Sequence, residues 1–330
     1  MSNPALYLNP KLYEKDIEMD TNRGGFGRGL AEAARRNDRV VGLAADLTDS
    51  TKMSIFAEEF PDRFIQVGIA EQNLATVASG MAAMGKIPFI ASYAAFSPGR
   101  NWEQIKTTVA LNDQPVKIMG AHAGLYTGMD GATHQMLEDF AIMRVMPNMV
   151  VIAPADAIEA EKVALAMAED SRPNYVRLTR EPLATITTDK TPFKLERAYV
   201  YSPGKDLTIV ATGAMTYFAL QAAESLYKDG IDAEVIHMPV IKPMDTITLL
   251  HSAEKTGAVM TVEEHQIAGG LGGAVAEFLS EHHPTPLRRI GVRDRYGESG
   301  EPSELLEHHG LTPKNIQLQA HNFFHELGRQ

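Results

Sequence analysis

No cysteine occurs among the 330 residues, so neither a disulfide framework nor a thiolate metal site can form. Positive charge is scarce as well: 31 Lys and Arg stand against 42 Asp and Glu, a formal net charge of −11. Nucleic acid and anionic membranes both require a basic face, so neither is expected as the main partner. A few local cations would still suffice to hold a phosphorylated small molecule. No stretch approaches the roughly 18 apolar residues of a membrane span. The opening Met1-Ser-Asn-Pro-Ala-Leu-Tyr has no basic segment and no apolar core of leader length. Together with the missing cysteines, this makes a cytoplasmic setting the expectation. Repeats of solenoid period and low-complexity tracts are absent too.

What is present reads as a core-forming chain, 44% hydrophobic and 22% charged, of a length that suits about two domains. Short apolar runs at 40–45, 88–92, 116–121, 149–153 and 175–178 alternate with amphipathic stretches at 26–36, 71–84, 100–111 and 156–169. Such alternation predicts a parallel sheet with helices on both faces, a three-layer α/β architecture. The pattern breaks after Arg180-Glu-Pro. Residues 185–203, rich in Thr, Pro and Lys, predict a linker with room for an edge strand. A second α/β unit follows, with strands at 207–211, 233–237, 258–262 and 286–291 and helices at 215–228, 246–255 and 273–282. The expected division is a first domain at 1–185, a linker at 186–205 and a smaller domain at 206–330.

Four loops concentrate the groups able to do chemistry. In Phe64-Ile-Gln-Val-Gly-Ile-Ala-Glu71-Gln-Asn-Leu74, an apolar run stops at Gly68 and one carboxylate, Glu71, opens an apolar helix. Leu74, Val77, Ala78 and Met81 recur at helical spacing and predict one buried face. The carboxylate can simply complement the positive helix end, or, in a dry pocket, be kept protonated and act as an acid. In Ile90-Ala-Ser-Tyr93-Ala-Ala-Phe96-Ser-Pro-Gly-Arg100-Asn-Trp102, a strand ends in two aromatics. These either pack in the core or stack on a flat heteroaromatic ring. Gly120-Ala-His122-Ala-Gly-Leu-Tyr-Thr-Gly-Met-Asp130-Gly-Ala-Thr-His134 runs from a strand into a glycine-rich loop. Imidazoles there can exchange protons with hydroxyls near neutral pH, whereas two histidines and one Asp make a poor metal site. In Ala45-Asp46-Leu-Thr-Asp49-Ser50 the carboxylate at a strand end caps a helix or faces a ligand. Arg23, Arg100 and Arg180 are the isolated cations of these loops, either solvated or gripping an oxyanion. Gly24-Gly-Phe-Gly-Arg-Gly29 and Gly269-Gly-Leu-Gly-Gly-Ala274 both miss the register of a dinucleotide fingerprint, and the second reads better as tight packing at a helix start. His282-His283 and His308-His309 are expected on solvated surface.

Taken together these strings resemble those of transketolases, which use thiamine diphosphate to move two-carbon ketol units between sugars. The resemblance extends through Leu207-Thr-Ile-Val-Ala-Thr-Gly, Val262-Glu-Glu-His-Gln-Ile-Ala-Gly-Gly-Leu-Gly-Gly and Val292-Arg-Asp-Arg-Tyr-Gly-Glu-Ser-Gly-Glu-Pro. It implies a pyrimidine-binding domain followed by a transketolase C-terminal domain. It implies that Glu71 activates the cofactor through N1′ of its aminopyrimidine. Tyr93 and Phe96 would form the pyrimidine pocket, with Arg100 and Asp46 beside the cofactor. His134 would contact the reacting hydroxyl end of the sugar, Asp130 another hydroxyl, and His122, Arg180, Arg23 and Ser50 would lie toward its phosphate. Asp49 and Ala132 stand where the family has proline, and Ile87 and Ile90 precede Tyr93 in place of an aromatic triplet. The Gly-Asp-Gly motif that, with a later Asn, holds Mg²⁺ in this superfamily is missing. The resemblance therefore implies that the diphosphate- and metal-binding domain sits on a separate N-terminal-half (A) subunit, this chain being the B subunit of an α₂β₂ assembly. Sugar phosphates, pentose phosphates by default, are the implied substrates. The β subunit of a 2-oxoacid dehydrogenase has the same domain pair, and deoxyxylulose-phosphate synthase the same glutamate and histidine loop. A scaffold subunit that has lost the chemistry is the further alternative.

Overall fold

A computed structural model describes residues 2–328. The first sheet has seven strands in the order Val240–Lys242, Val150–Ile152, Asn174–Arg177, Lys117–Ala121, Ile87–Tyr93, Val40–Ala44 and Phe64–Gln66. All its pairings are parallel except that of Val240–Lys242 with Val150–Ile152. Strands Val40–Ala44, Lys117–Ala121, Val150–Ile152 and Asn174–Arg177 are buried at every residue. They read as unbroken runs rather than alternating ones because helices cover both faces of the sheet.

The second sheet has five strands, ordered Leu287–Val292, Val259–Gln266, Leu207–Ala211, Ala233–His237 and Tyr199–Ser202, with only the last antiparallel. A two-stranded ribbon pairs Met19–Asp20 with Leu183–Ala184. Two α/β units with parallel-rich sheets are thus what the alternation predicted. Among the described residues, no helix is long and apolar enough to cross a membrane.

Glycine explains one helix pair. Helix Asn22–Arg36 lies on helix Ala157–Glu169 so closely that a Cβ on Gly25 would fall 1.9 Å from the Ala157 carbonyl oxygen, and one on Gly29 2.3 Å from that of Glu161. The first glycine string is therefore a helix-packing stripe. The second opens helix Leu271–His282, where the Glu263 carboxylate accepts from Leu271 N at 2.7 Å and Gly272 N at 2.8 Å. An internal carboxylate thus occupies the anion position that a helix start offers to phosphate.

Several expectations are corrected. Tyr199–Ser202 is the edge strand for which the linker stretch left room, whereas Val240–Lys242, not expected as a strand, returns from the second unit to edge the first sheet. The helix expected from residue 100 starts at Trp102 and widens into a π-helix over Ile105–Ala110. There the Thr107 and Thr108 hydroxyls bond the carbonyls of Glu103 and Gln104 four residues earlier. Helices Asp139–Arg144, Pro302–His308 and Pro313–Glu326 are not among the expected elements, although Pro302 and Pro313 open the last two and Thr312 caps Pro313–Glu326. On helix Glu71–Ala83 the buried face is Leu74, Ala75, Ala78 and Ala82, while Val77 is exposed. His282 and His308 are exposed as expected, whereas His283 and His309 are half-buried.

Candidate active site

Strand Val40–Ala44 lies between Phe64–Gln66 and Ile87–Tyr93, so strand order reverses there. In open α/β sheets, ligands bind beyond the strand C-termini at such a switch point. Asp46, Glu71 and Tyr93 all stand at or just past those ends. Glu71, the first residue of its helix, is 3% exposed. Its carbonyl accepts from Asn101 Nδ2 at 2.8 Å, and Asn101 also donates to Ser97 Oγ at 3.2 Å. Asn101 is fully buried, and its Oδ1 has no partner among the described residues. Arg100 Nη1 stands 3.7 Å from Glu71 Oε2, and its guanidinium lies 5.0 Å from the Phe96 ring centre. The Asp46 loop is tied to the turn before Glu71 by Gln66, whose Oε1 accepts from Asp46 N at 2.7 Å and Gly68 N at 3.1 Å.

The aromatics join this carboxylate to the histidine loop. Tyr93 stacks on His122 with centroids 3.9 Å apart, and on Phe96 at 5.9 Å. His134 meets Phe96 edge-on at 5.3 Å. His122 is buried with a left-handed backbone (φ 54°), its carbonyl accepting from Thr127 Oγ1 at 2.6 Å. Burial, then the nearby charges of Arg23, Arg180 and His134, push its pKa down to about 3. His122 is therefore neutral near pH 7. His134 is the half-exposed member of the pair, its Nδ1 2.8 Å from Thr133 Oγ1.

Two arginines close the far side. Arg180 Nη1 donates to the Thr127 carbonyl at 2.9 Å and lies 3.4 Å from Asp130 Oδ1, and its Nε is 3.5 Å from Glu181. Arg23 Nε donates to the Arg180 carbonyl at 3.1 Å, and its Nη1 bonds the Ser50 carbonyl. Contacts thus run from Glu71 through Arg100, Phe96, Tyr93 and His122 toward the arginines, Asp130 and Ser50, with His134 against the aromatics. Sequence reasoning passed over Gln66, Asn101 and Thr127. Each sits inside a quoted string, but Gln66 and Asn101 meet backbone groups of another loop and the Thr127 carbonyl meets the distant Arg180 side chain, which spacing does not reveal. Among the described residues, no group of three or more His, Asp or Glu is arranged to hold a metal ion.

The family model described as transketolase, pyrimidine binding domain, matches residues 19–185, and that of the transketolase C-terminal domain matches residues 196–316. The chain belongs to the transketolase family. It is 44% identical over 297 residues to a putative transketolase C-terminal section of Methanocaldococcus jannaschii, covering 89% of this chain and 93% of that protein. It is 43% identical over 309 residues to a 6-deoxy-6-sulfo-D-fructose transketolase subunit of a Clostridium species, covering 94% and 96%. A solved split-gene transketolase, described as an inactive β4 tetramer, superposes with a TM-score of 0.85 at 45% identity over 90% of this chain and 96% of that one.

Transketolases depend on thiamine diphosphate, and the residues here fit its pyrimidine end. A buried carboxylate opens a helix beside an aromatic–arginine pair, and an unpartnered amide oxygen lies next to it.

Proposed function

We propose that this chain is the B subunit of a split transketolase. It would transfer a two-carbon ketol unit from a ketose phosphate to an aldose phosphate, with thiamine diphosphate shared with an N-terminal-half A subunit in an α₂β₂ assembly. Mg²⁺ and its ligands are assigned to the A subunit, since the Gly-Asp-Gly motif is missing here. The observation that carries the reading is the buried Glu71 carboxylate linked by stacked aromatics to the histidine loop and its arginines. Two further facts support a partner chain. The Methanocaldococcus relative, named a C-terminal section, is matched over 93% of its length. Ile69, Val77 and Met84, which flank or lie on the Glu71 helix, are 76%, 36% and 85% exposed and offer apolar side chains to a partner beside the candidate site.

When bound, the thiazolium supplies a carbanion nucleophile and an electron sink. Glu71 holds a proton toward the pyrimidine nitrogen. Tyr93 and Phe96 wall the ring pocket, with Arg100 and Asp46 at its edge. His134 moves protons at the reacting hydroxyl end of the sugar, and Asp130 accepts from another hydroxyl. Neutral His122 orients the sugar as a fixed hydrogen-bonding group beside Arg180 and Arg23, which hold the anionic end with Ser50.

The test mixes this chain with an N-terminal-half subunit, Mg²⁺ and thiamine diphosphate, and follows ketol transfer from xylulose 5-phosphate to ribose 5-phosphate. Activity is expected only in the mixture, and Glu71→Ala is expected to lower kcat by about 100-fold or more. Turnover by this chain alone, or an indifferent Glu71→Ala, would overturn the reading.

A further inference from the structure

The histidine loop belongs to the first unit, yet much of what holds it comes from the second. Arg177, 5% exposed at the end of strand Asn174–Arg177, is the hub. Its Nη1 is paired with Asp139, which also accepts from Tyr175 Oη at 2.7 Å. Its Nη2 donates across the junction to the Glu264 carbonyl at 2.5 Å and lies 3.4 Å from Glu264 Oε2. The other carboxylate oxygen of Glu264 accepts from Tyr126 N at 2.9 Å, inside the histidine loop. Glu264 therefore grips the first unit twice, through its carbonyl and carboxyl on Arg177 and through its carboxyl on the loop backbone, while burial pushes that carboxyl up to about 7.

The loop's own sequence is shaped around this grip. Gly124 has φ 73°, and a Cβ there would fall 2.3 Å from Arg177 Nη2 and 2.4 Å from Glu264 Oε1, so only glycine passes between the two charges. A second hold lies at the loop's other end. Gln135 Nε2 donates at 2.8 Å both to the Gly128 carbonyl, within the loop, and to the Glu298 carbonyl of the second unit. A Cβ on Gly297 would fall 1.7 Å from Gln135 Oε1, and one on Gly131 2.6 Å from Ser299 Oγ. Close packing from the second unit thus continues past Gln135 to the Asp130–His134 turn.

We propose that Glu264, acting with Arg177, is a positioning residue: it fixes the backbone of the 122–135 loop so that His122, Asp130 and His134 meet the sugar in one arrangement. The second unit thereby shapes the substrate side of the site while contributing none of the candidate catalytic side chains. Loss of the Glu264 carboxyl group frees Tyr126 N and leaves Arg177 with one side-chain carboxyl partner instead of two, so the loop should open locally while the Glu71 side stays as it was.

The primary test is hydrogen–deuterium exchange on the isolated chain, which does not depend on the transketolase reading. In Glu264→Ala, peptides spanning 122–136 are expected to exchange about tenfold faster or more, with peptides spanning 64–85 unchanged. Glu264→Gln, which keeps an acceptor for Tyr126 N, is expected to recover part of the protection and guards against a misfolded Ala variant. Unchanged 122–136 peptides, or equal acceleration of every peptide in both variants, would overturn the proposal. The activity arm rests on the proposed function and uses the chain reconstituted with its A subunit. Glu264→Ala should lower kcat/KM for the sugar by about tenfold or more, because misplacing reacting groups is costly. Thiamine diphosphate affinity, followed by the fluorescence of Trp102, the only tryptophan, should be unchanged. An inactive wild-type mixture would count against the function reading alone, while the exchange result still judges the positioning role.

Discussion

Burial and three neighbouring groups act on His122 in the same direction. The imidazole is taken out of water, and Arg23, Arg180 and His134 each oppose a further positive charge, so its pKa falls from 6.5 to about 3. A base whose folded pKa is depressed favours folding most above its unfolded pKa, and that contribution is lost as pH falls through the folded value. His122→Asn should therefore soften acid destabilisation between pH 6.5 and 3, followed by urea midpoints across that range. In the reconstituted enzyme the same variant should scale kcat/KM down without moving its acid limb between about pH 5 and 8. A displaced limb would show that His122 titrates in the working range. At this scale the sequence was informative about residue type and poor about state. Glu71 and His134 stand out in the sequence because each follows an apolar strand at a glycine-containing turn, and Tyr93 because it ends such a strand. The neutrality of His122 does not, because it is set first by burial and then by Arg23 and Arg180, which lie far off along the chain.

Element by element, the clearest contrast is between glycines. Gly25 and Gly29 sit under the carbonyls of the neighbouring helix, whereas a Cβ on Gly80 would meet nothing within 4 Å. Gly25→Ala should lower the stability of the isolated chain by about 1–3 kcal/mol through overpacking. Gly80→Ala should raise it by about 0.5–1 kcal/mol, because alanine loses less backbone entropy in a helix. Urea midpoints at constant slope measure both, and equal effects would show that the two helices can slide apart. Strand–helix alternation made both sheets legible, since continuous apolar runs follow from burial on both faces. It missed Val240–Lys242, three residues whose place in the first sheet depends on a chain reversal that local composition does not encode. We keep 1–185, 186–205 and 206–330 as the proposed division, with Tyr199–Ser202 as the part of the linker that joins the second sheet.

For the molecule as a whole, the proposed contact with the A subunit falls on the exposed apolar residues Ile69, Val77 and Met84 around the Glu71 helix. Val77→Asp and Met84→Glu replace surface groups that are 36% and 85% exposed, so the Tm of the isolated chain should stay within about 2 °C of wild type. Their affinity for the A subunit, measured by titration calorimetry, should fall about tenfold or more each, since a charge would be buried without a partner. Unchanged affinity would move the proposed interface elsewhere. The sequence by itself determined the architecture, the absence of disulfide and thiolate chemistry, and the identity of the chemical groups, because strand periodicity, cysteine count and loop motifs are local properties. Only the tertiary structure decided which oxygen each arginine meets, that His122 is neutral, and that the second unit grips the histidine loop through Glu264. Those outcomes depend on desolvation and on contacts between residues up to 163 positions apart, as in the Gln135–Glu298 bond, and such terms exist only once the chain has closed on itself.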